Sequence, residues 1–138
     1  MERRDLIEDQ INQLGLVLSR IFSKIIGLKS KGLGLESVIV INQELKDECK
    51  TDNLLELSDD EFIFTLENNK NFNCNNLEKL ATNLMLTAEE LEVNEKINLY
   101  QKSLKIFELI NTKELTYSHE RFLKMKSIED VLLTLAIK

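Results

Sequence analysis

The chain contains no proline and no tryptophan, and it has only four glycines, two cysteines and one histidine in 138 residues. The scarcity of proline and glycine disfavours an all-β fold rich in tight turns and favours long helices. Cys49 and Cys74 form neither a CxxC pair nor the framework of a disulfide-rich secreted domain, so we expect reduced thiols in the cytoplasm. His119 has no second histidine at the spacing of a zinc helix, and the sequence predicts no metal site and no cofactor.

Long uninterrupted apolar segments are absent as well. The longest apolar stretch runs from Leu14 to Leu28, and four polar or charged residues interrupt it. It falls short of the roughly 20 residues that a membrane-spanning helix needs. No cleavable apolar segment follows the charged residues 1–5, so no signal peptide is expected. With 43% apolar and 30% charged residues, we expect a soluble globular chain that forms a single domain over residues 1–138.

The net charge of −6 is unevenly distributed along the chain. Residues 1–34 carry a net charge of +2, residues 35–95 one of −11, and residues 96–138 one of +3. The acidic middle would repel phosphate backbones, which disfavours nucleic acid as a partner. Opposite charges in different segments can instead steer self-association or the binding of a basic protein.

The first segment has the clearest periodicity, because its apolar residues recur in steps of four and three over three heptads. This a/d seam predicts a helix from about residue 4 to residue 28, and the glycines within residues 27–34 then end it. The seam is the predicted contact surface for a second copy or another protein, and it consists of Ile7, Ile11, Leu14, Leu18, Ile21, Ile25 and Leu28. Packing of the same seam inside the monomer is the alternative.

Further apolar residues widen this face beyond a narrow seam: Leu6, Val17, Phe22 and Ile26. A helix with so much apolar surface must bury two sides, or one side and a partner. Attachment of the helix to a membrane surface is a third possibility, although its polar face is not rich in lysine and arginine.

Helical patterns continue through the middle of the chain. Residues 35–49 predict a second helix, since the β-branched run Val38–Ile41 has no second strand with which to pair. Ser58 and Glu61 form a capping box that begins a short helix.

The second half of the chain predicts further helices. The asparagine-rich stretch before residue 77 is expected to be a loop in which Asn75 or Asn76 caps the next helix. Three helices are predicted across residues 77–138, the last of them capped by Thr116 or Ser118. Together the patterns predict an all-α fold of about six helices in an irregular bundle of antiparallel hairpins.

Residues 96–107, with the sequence KINLYQKSLKIF, resemble the second helix of a tetratricopeptide repeat, and Ala81 is the matching small residue in the preceding helix. The resemblance implies a helical hairpin followed by a C-terminal helix within residues 77–138. One repeat cannot bury its own apolar face, so the likeness is to a local hairpin and not to a repeat array.

The opening residues resemble a family of small bacterial proteins of unknown function. The segments that carry the likeness are 3–7, 10–15 and 27–32, with looser matches at 42–46 and 57–62. This resemblance implies a helical protein with a repeat-like C-terminal half, and it transfers no active-site residue.

One dense group of polar residues with varied chemistry surrounds His119, namely Tyr117, Ser118, Glu120 and Arg121. A nucleophilic site needs a nucleophile, a base and an orienting group in contact, which adjacency in sequence does not provide. Our leading hypothesis is therefore a non-enzymatic helical module that binds protein, first of all itself, as a possible homodimer. A small-ligand-binding protein or enzyme that uses the cluster around His119 is the second hypothesis, and peripheral membrane attachment is the third.

Overall fold

The structure is a computed structural model that describes residues 3–137, with side chains from residue 6 to residue 136. Within these residues the chain forms seven α-helices, one 3-10 helix and no strand. The helices are α1 (Arg3–Lys29), α2 (Gly34–Glu44), α3 (Lys46–Cys49), a 3-10 turn (Leu54–Glu56), α4 (Asp59–Glu67), α5 (Cys74–Ala88), α6 (Val93–Lys113) and α7 (His119–Ile137). The predicted all-α class is confirmed.

The helix that we predicted over residues 35–49 is divided in two. Helix α2 ends at Glu44 and α3 begins at Lys46, with Leu45 between them at φ −100° and ψ 2°. Leu45 joins the two helices, since its N–H donates to the Ile41 carbonyl at 3.1 Å and its carbonyl accepts from the Cys49 N–H at 2.9 Å. Leu45 and Cys49, one helical turn apart, are both buried. The helix is therefore distorted where two successive turns pack into the core.

Two predicted helix caps are confirmed and one is wrong. The Ser58 hydroxyl accepts a hydrogen bond from the N–H of Glu61 at 3.2 Å, and the Ser118 hydroxyl caps α7 in the same way. Helix α5, however, is capped by Asn73, whose side-chain oxygen accepts from the N–H of Asn76 at 2.9 Å. The side chain of Asn76 is buried and donates to main-chain carbonyls, one of them in α1, so it cannot serve as the cap.

Helices α1 and α5 lie side by side and run in the same direction. The side chain of Asn76 donates to the carbonyl oxygen of Ile11 at 3.0 Å, and that of Asn83 to the carbonyl of Leu18 at 3.2 Å. Both partners advance by seven residues, which is two helical turns, so the two axes are parallel.

Helix α6 returns antiparallel to α5 after a short connection. The Ser103 hydroxyl donates to the carbonyl of Ala81 at 2.7 Å, which fixes the two helices in close contact at small residues. Helix α7 then lies against α6 and runs in the same direction as α5, because Arg121 and Lys124 reach Glu78 and Thr82 in register. Helices α1, α5 and α7 thus form one layer of three parallel helices.

A single apolar core receives residues from every helix. Its largest fully buried side chains include Phe62 from α4 and Phe107 from α6. Helix α4 is tied to α6 by the buried ammonium of Lys102, which lies 3.1 Å from a carboxylate oxygen of Asp59 and 5.6 Å from the centroid of the Phe62 ring. A buried lysine therefore fixes the position of α4 and determines which of its faces is left outside.

Candidate interaction surface

The predicted contact seam of α1 is divided by the fold. Its middle is internal, because Leu14, Leu18, Ile21 and Ile25 are all buried in the core. Of the other three, Ile11 and Leu28 are half-buried and Ile7 is 37% exposed. The four buried residues hold α1 in the bundle and are not available to a partner while the fold is intact, as the monomer-packing alternative expects.

Beside its core residues, α1 keeps a second set of apolar side chains that stay exposed. We call Leu16, Phe22 and Ile26 the outer face of α1; all three are exposed, and Leu16 is the most exposed at 64%. Leu16 lies two residues from buried Leu14 and from buried Leu18, which places it on the far side of the helix. In the sequence, Phe22 and Ile26 only widen the seam, and the pattern does not indicate that the fold leaves them exposed.

Basic side chains accompany the outer face. Residues 10–33 contain four bases and no acid. The ammonium of Lys24 lies 2.6 Å from the carboxylate of Glu44 in α2, and the guanidinium of Arg20 lies 3.5 Å from it. The hydrogen bond from Lys24 lowers the pKa of the Glu44 carboxyl below its ordinary value of 4.5. Both basic side chains remain about half exposed, so they can still meet an acidic partner.

Helix α4 presents an exposed aromatic ring within an acidic surface. We call Asp60, Phe64 and Glu67 the outer face of α4; they share one side of the helix at spacings of four and three, and Phe64 is 68% exposed. Residues 51–69 contain six acids and no base. Within the described residues, Asp60 and Glu67 take part in no salt bridge. The sequence predicts the cap of this helix but does not indicate that Phe64 lies exposed between two acids.

A groove of about 450 Å³ lies over α5 between the two other helices of its layer. Phe22 of α1 and Lys124 of α7 form its walls, and Thr82 lies at its base. The ammonium of Lys124 donates to the Thr82 hydroxyl at 3.3 Å and lies 3.4 Å from the carboxylate of Glu120. Because these groups are paired with one another, the groove connects α5 to α7 and leaves little polar chemistry directed at a ligand.

The polar cluster around His119 is brought together only in part. The Tyr117 hydroxyl and Nδ1 of His119 lie 3.2 Å apart, and the rings of His119 and Phe122 stack with centroids 6.3 Å apart. The hydroxyl of Ser118 is occupied by the cap of α7, and no hydrogen bond within the described residues joins it to His119. The Ser118 hydroxyl therefore does not contact the imidazole, and the cluster presents an exposed aromatic surface around His119.

Arg121 leaves this cluster altogether. Its guanidinium is buried and bonds to the Asn111 side chain at 2.8 Å, and it lies 3.4 Å and 3.3 Å from the carboxylates of Glu78 and Glu114. These contacts join the start of α7 to α5 and α6. The role of Arg121 is structural, and its residue type gave no sign of burial in the sequence.

Metal-binding residues do not converge in the part of the chain that the structure describes, where no three histidine, cysteine or acidic side chains group together. Cys49 is buried, and burial together with the nearby Glu48 carboxylate raises the pKa of its thiol to about 12. Cys74 is half-buried, and burial raises its pKa as well. Neither thiol is activated for nucleophilic chemistry, since only the thiolate is reactive.

The apolar segment of α1 is longer than the sequence predicts. By length and composition alone, Leu6–Lys29 is long and apolar enough to cross a membrane. From the stretch Leu14–Leu28, no span is expected. Buried helices of bundles pass the same test, and here one side of α1 forms part of the core.

No protein-family model, curated protein or solved structure matches this chain. The resemblance of its opening residues to a bacterial family accordingly stays a prediction.

Proposed function

We propose that this chain is a non-catalytic helical module that binds protein, first of all a second copy of itself, through the outer face of α1. The observation that supports the proposal is that α1 is apolar on both sides. One side contributes Leu14, Leu18 and neighbouring residues to the core, while Leu16 and Phe22 on the other sides stay exposed. A helix with apolar residues on more than one side normally buries all of them, so a monomer leaves part of the apolar surface of α1 uncovered.

The exposed apolar residues are concentrated around this helix. Eight of the fifteen large apolar side chains that the described surface exposes lie between residues 6 and 39. They include Leu35 and Ile39 of α2, the helix packed beside α1. Single exposed apolar residues are ordinary on a protein surface, but a large contiguous group marks an interaction site.

Catalysis or ligand binding at His119 has less support. The aromatic side chains Tyr117 and Phe122 surround the imidazole, and the guanidinium of Arg121 is held in structural contacts with Glu78 and Glu114. Arg121 is therefore not available to bind a ligand beside His119.

Two further features belong to the proposal as inferences from sequence. The α5–α6 hairpin, with Ser103 packed on Ala81, suits the small-residue contact of a tetratricopeptide-like hairpin. A cytoplasmic location suits the two free cysteines, Cys49 and Cys74.

The proposal is tested by light scattering behind size exclusion, over a hundredfold range of protein concentration. We expect a mass above the 16.0 kDa of one chain. The variant Leu16→Glu should return the mass to that of one chain with its helical circular dichroism unchanged. Leu133→Glu is the matched control, since Leu133 in α7 is exposed to nearly the same extent, at 63%, and it should keep the native mass.

A native chain that stays at the monomer mass throughout the range would overturn self-association. If Leu16→Glu and Leu133→Glu lower the mass equally, the association is caused by nonspecific contact between apolar surfaces and not by the outer face of α1. Binding of the monomer to anionic vesicles, abolished by Leu16→Glu, would instead assign α1 to a membrane surface.

A further inference from the structure

We propose that the outer face of α1 in one copy binds the outer face of α4 in the next copy, in a head-to-tail contact. The inference rests on the proposed function, because it names the surface that receives α1. The geometry that points to it is the presence of two exposed apolar faces, on different helices, set in surroundings of opposite charge.

The net charges of the two segments are opposite in sign, although Arg20, Lys24 and Lys29 also pair with acids of their own chain. Residues 10–33, which include the outer face of α1, carry four bases and no acid, and residues 51–69, which include the outer face of α4, carry six acids and no base. Like faces would repel each other, so α1 against α1 and α4 against α4 are both disfavoured. Opposite faces attract, which gives orientation and a faster encounter.

The two faces also match in the spacing of their side chains. On α4 the Phe64 ring lies between Asp60 and Glu67, at spacings of four and three residues. On α1 the Leu16 side chain precedes Arg20 and Lys24 at successive turns. Each face therefore offers an apolar anchor beside charges one turn away, and α4 with its nine residues is about 14 Å long, enough to cover these turns of α1.

The groups that would pair across the contact are accessible. Asp60 and Glu67 are exposed and take part in no salt bridge among the described residues. Arg20 and Lys24 share Glu44, yet their side chains remain 56% and 47% exposed. Ion pairs between exposed side chains contribute little to stability, so the pairs with Glu44 do not prevent an exchange of partners.

A contact between two different faces is heterologous when each face meets a different neighbour. Helix α1 lies against α2 and α5, whereas α4 lies against α6, so the two faces belong to different parts of the bundle. Each copy would use its α1 face on one neighbour and its α4 face on another. A contact of this kind produces open chains or rings, and not the closed dimer of an isologous contact. The mass should therefore rise continuously with concentration and fall as salt screens the charges.

A mixing experiment tests this arrangement. Leu16→Glu removes the α1 face, and Phe64→Lys removes the α4 face of a chain whose α1 face is native. Each variant alone should have the mass of one chain, 16.0 kDa. An equal mixture should form a pair of twice that mass and grow no further, because only one native junction is possible between the two variants. Phe122→Lys, at an exposed aromatic residue of α7, is the matched control for Phe64→Lys and should assemble as the native chain does.

Three results would overturn the inference, and they are distinguishable from a failure of the proposed function. Assembly of Phe64→Lys with the native mass would show that α4 takes no part, while self-association through α1 stands. A mixture that stays monomeric would show an isologous contact that needs both faces from both copies. Loss of assembly in Phe122→Lys as well would assign the effect to added charge. A native chain that never assembles would overturn the proposed function itself, and the inference with it.

Discussion

The side-chain amide of Asn83 donates a hydrogen bond to the carbonyl oxygen of Leu18 at 3.2 Å, although Leu18 lies in the middle of α1 and is fully buried. Asn76 makes the equivalent bond to Ile11 two turns earlier. Helix α5 thus holds α1 through its main chain on the side that faces the bundle. The next residue along this side of α5 is Thr87, whose buried hydroxyl has no hydrogen-bond partner within the described residues.

The unpaired hydroxyl makes Thr87→Val a stabilising change. Valine keeps the shape of threonine and removes a polar group whose burial without a partner costs about 1–3 kcal/mol. We expect the free energy of unfolding to rise by about 1 kcal/mol, measured by urea unfolding followed by circular dichroism. Asn83→Ala is the comparison, and it should lower the free energy of unfolding by about 2 kcal/mol through a lost hydrogen bond and a small cavity. A loss of stability in Thr87→Val would indicate that the hydroxyl does have a partner.

Replacement of glycine by alanine should change the free energy of unfolding in opposite directions at two positions. A Cβ at Gly34 would lie 2.6 Å from the carbonyl oxygen of Glu90, so the turn into α2 and the connection after α5 could not keep their close approach. Gly34→Ala should lower the free energy of unfolding by about 2 kcal/mol. Gly27 is in α1 with no atom within 4 Å of such a Cβ, and Gly27→Ala should raise stability by about 1 kcal/mol through helix propensity. Thermal midpoints that move in the same direction for both variants would contradict this account.

The sequence predicts α1 well because its helix is specified locally. Steps of four and three between apolar residues indicate a helix whatever surrounds it, and the Ser58 cap depends only on a residue three positions away. The same steps did identify the core side, since Leu18 and Ile21 are fully buried. Whether that side meets a partner or the chain's own α5 depends on contacts some 65 positions apart in the chain, such as the one between Leu18 and Asn83.

The burial of charged residues could not be predicted either, because it also depends on contacts between residues far apart in the chain. Lys102 and Arg121 have the composition of surface residues, yet both are buried with acidic partners on other helices. The exposed ring of Phe64 is the converse case. An apolar residue in a short helix is expected to lie in the core, and only the packing of α4 on α6 through Lys102 shows that Phe64 lies outside.

The buried ion pair between Lys102 and Asp59 should show strong coupling. In Lys102→Met the methionine keeps the apolar stem in place, but Asp59, whose side chain is 29% exposed, loses its counter-charge. We expect a loss of about 2 kcal/mol, which is smaller than for a fully buried pair because water reaches Asp59. Adding Asp59→Asn should restore part of the loss, so the double variant is more stable than the sum of the single variants predicts. Additive losses in urea unfolding would show that the two charges do not interact.

The two cysteines should differ in their rate of alkylation. Because only the thiolate reacts and Cys49 is buried, iodoacetamide should modify Cys74 first and reach Cys49 only when the chain unfolds. Mass spectrometry of peptides from samples taken over time measures the two rates. Modification of Cys49 at the rate of Cys74 would contradict the burial of its thiol.

Burial raises the pKa of the Cys49 thiol from 9.0 to about 12, which means that the folded chain keeps this proton more tightly than the unfolded chain. The stabilisation from this difference is fully present below pH 9 and is lost as the pH rises from 9 towards 12. Cys49→Ala removes the titrating group, so its stability should decline less steeply over that range than the stability of the native chain. The burial of Tyr100 also raises the pKa of its phenol and contributes to the decline in both proteins. Urea midpoints measured against pH test the difference, and parallel curves for the native chain and Cys49→Ala would show that the thiol does not contribute.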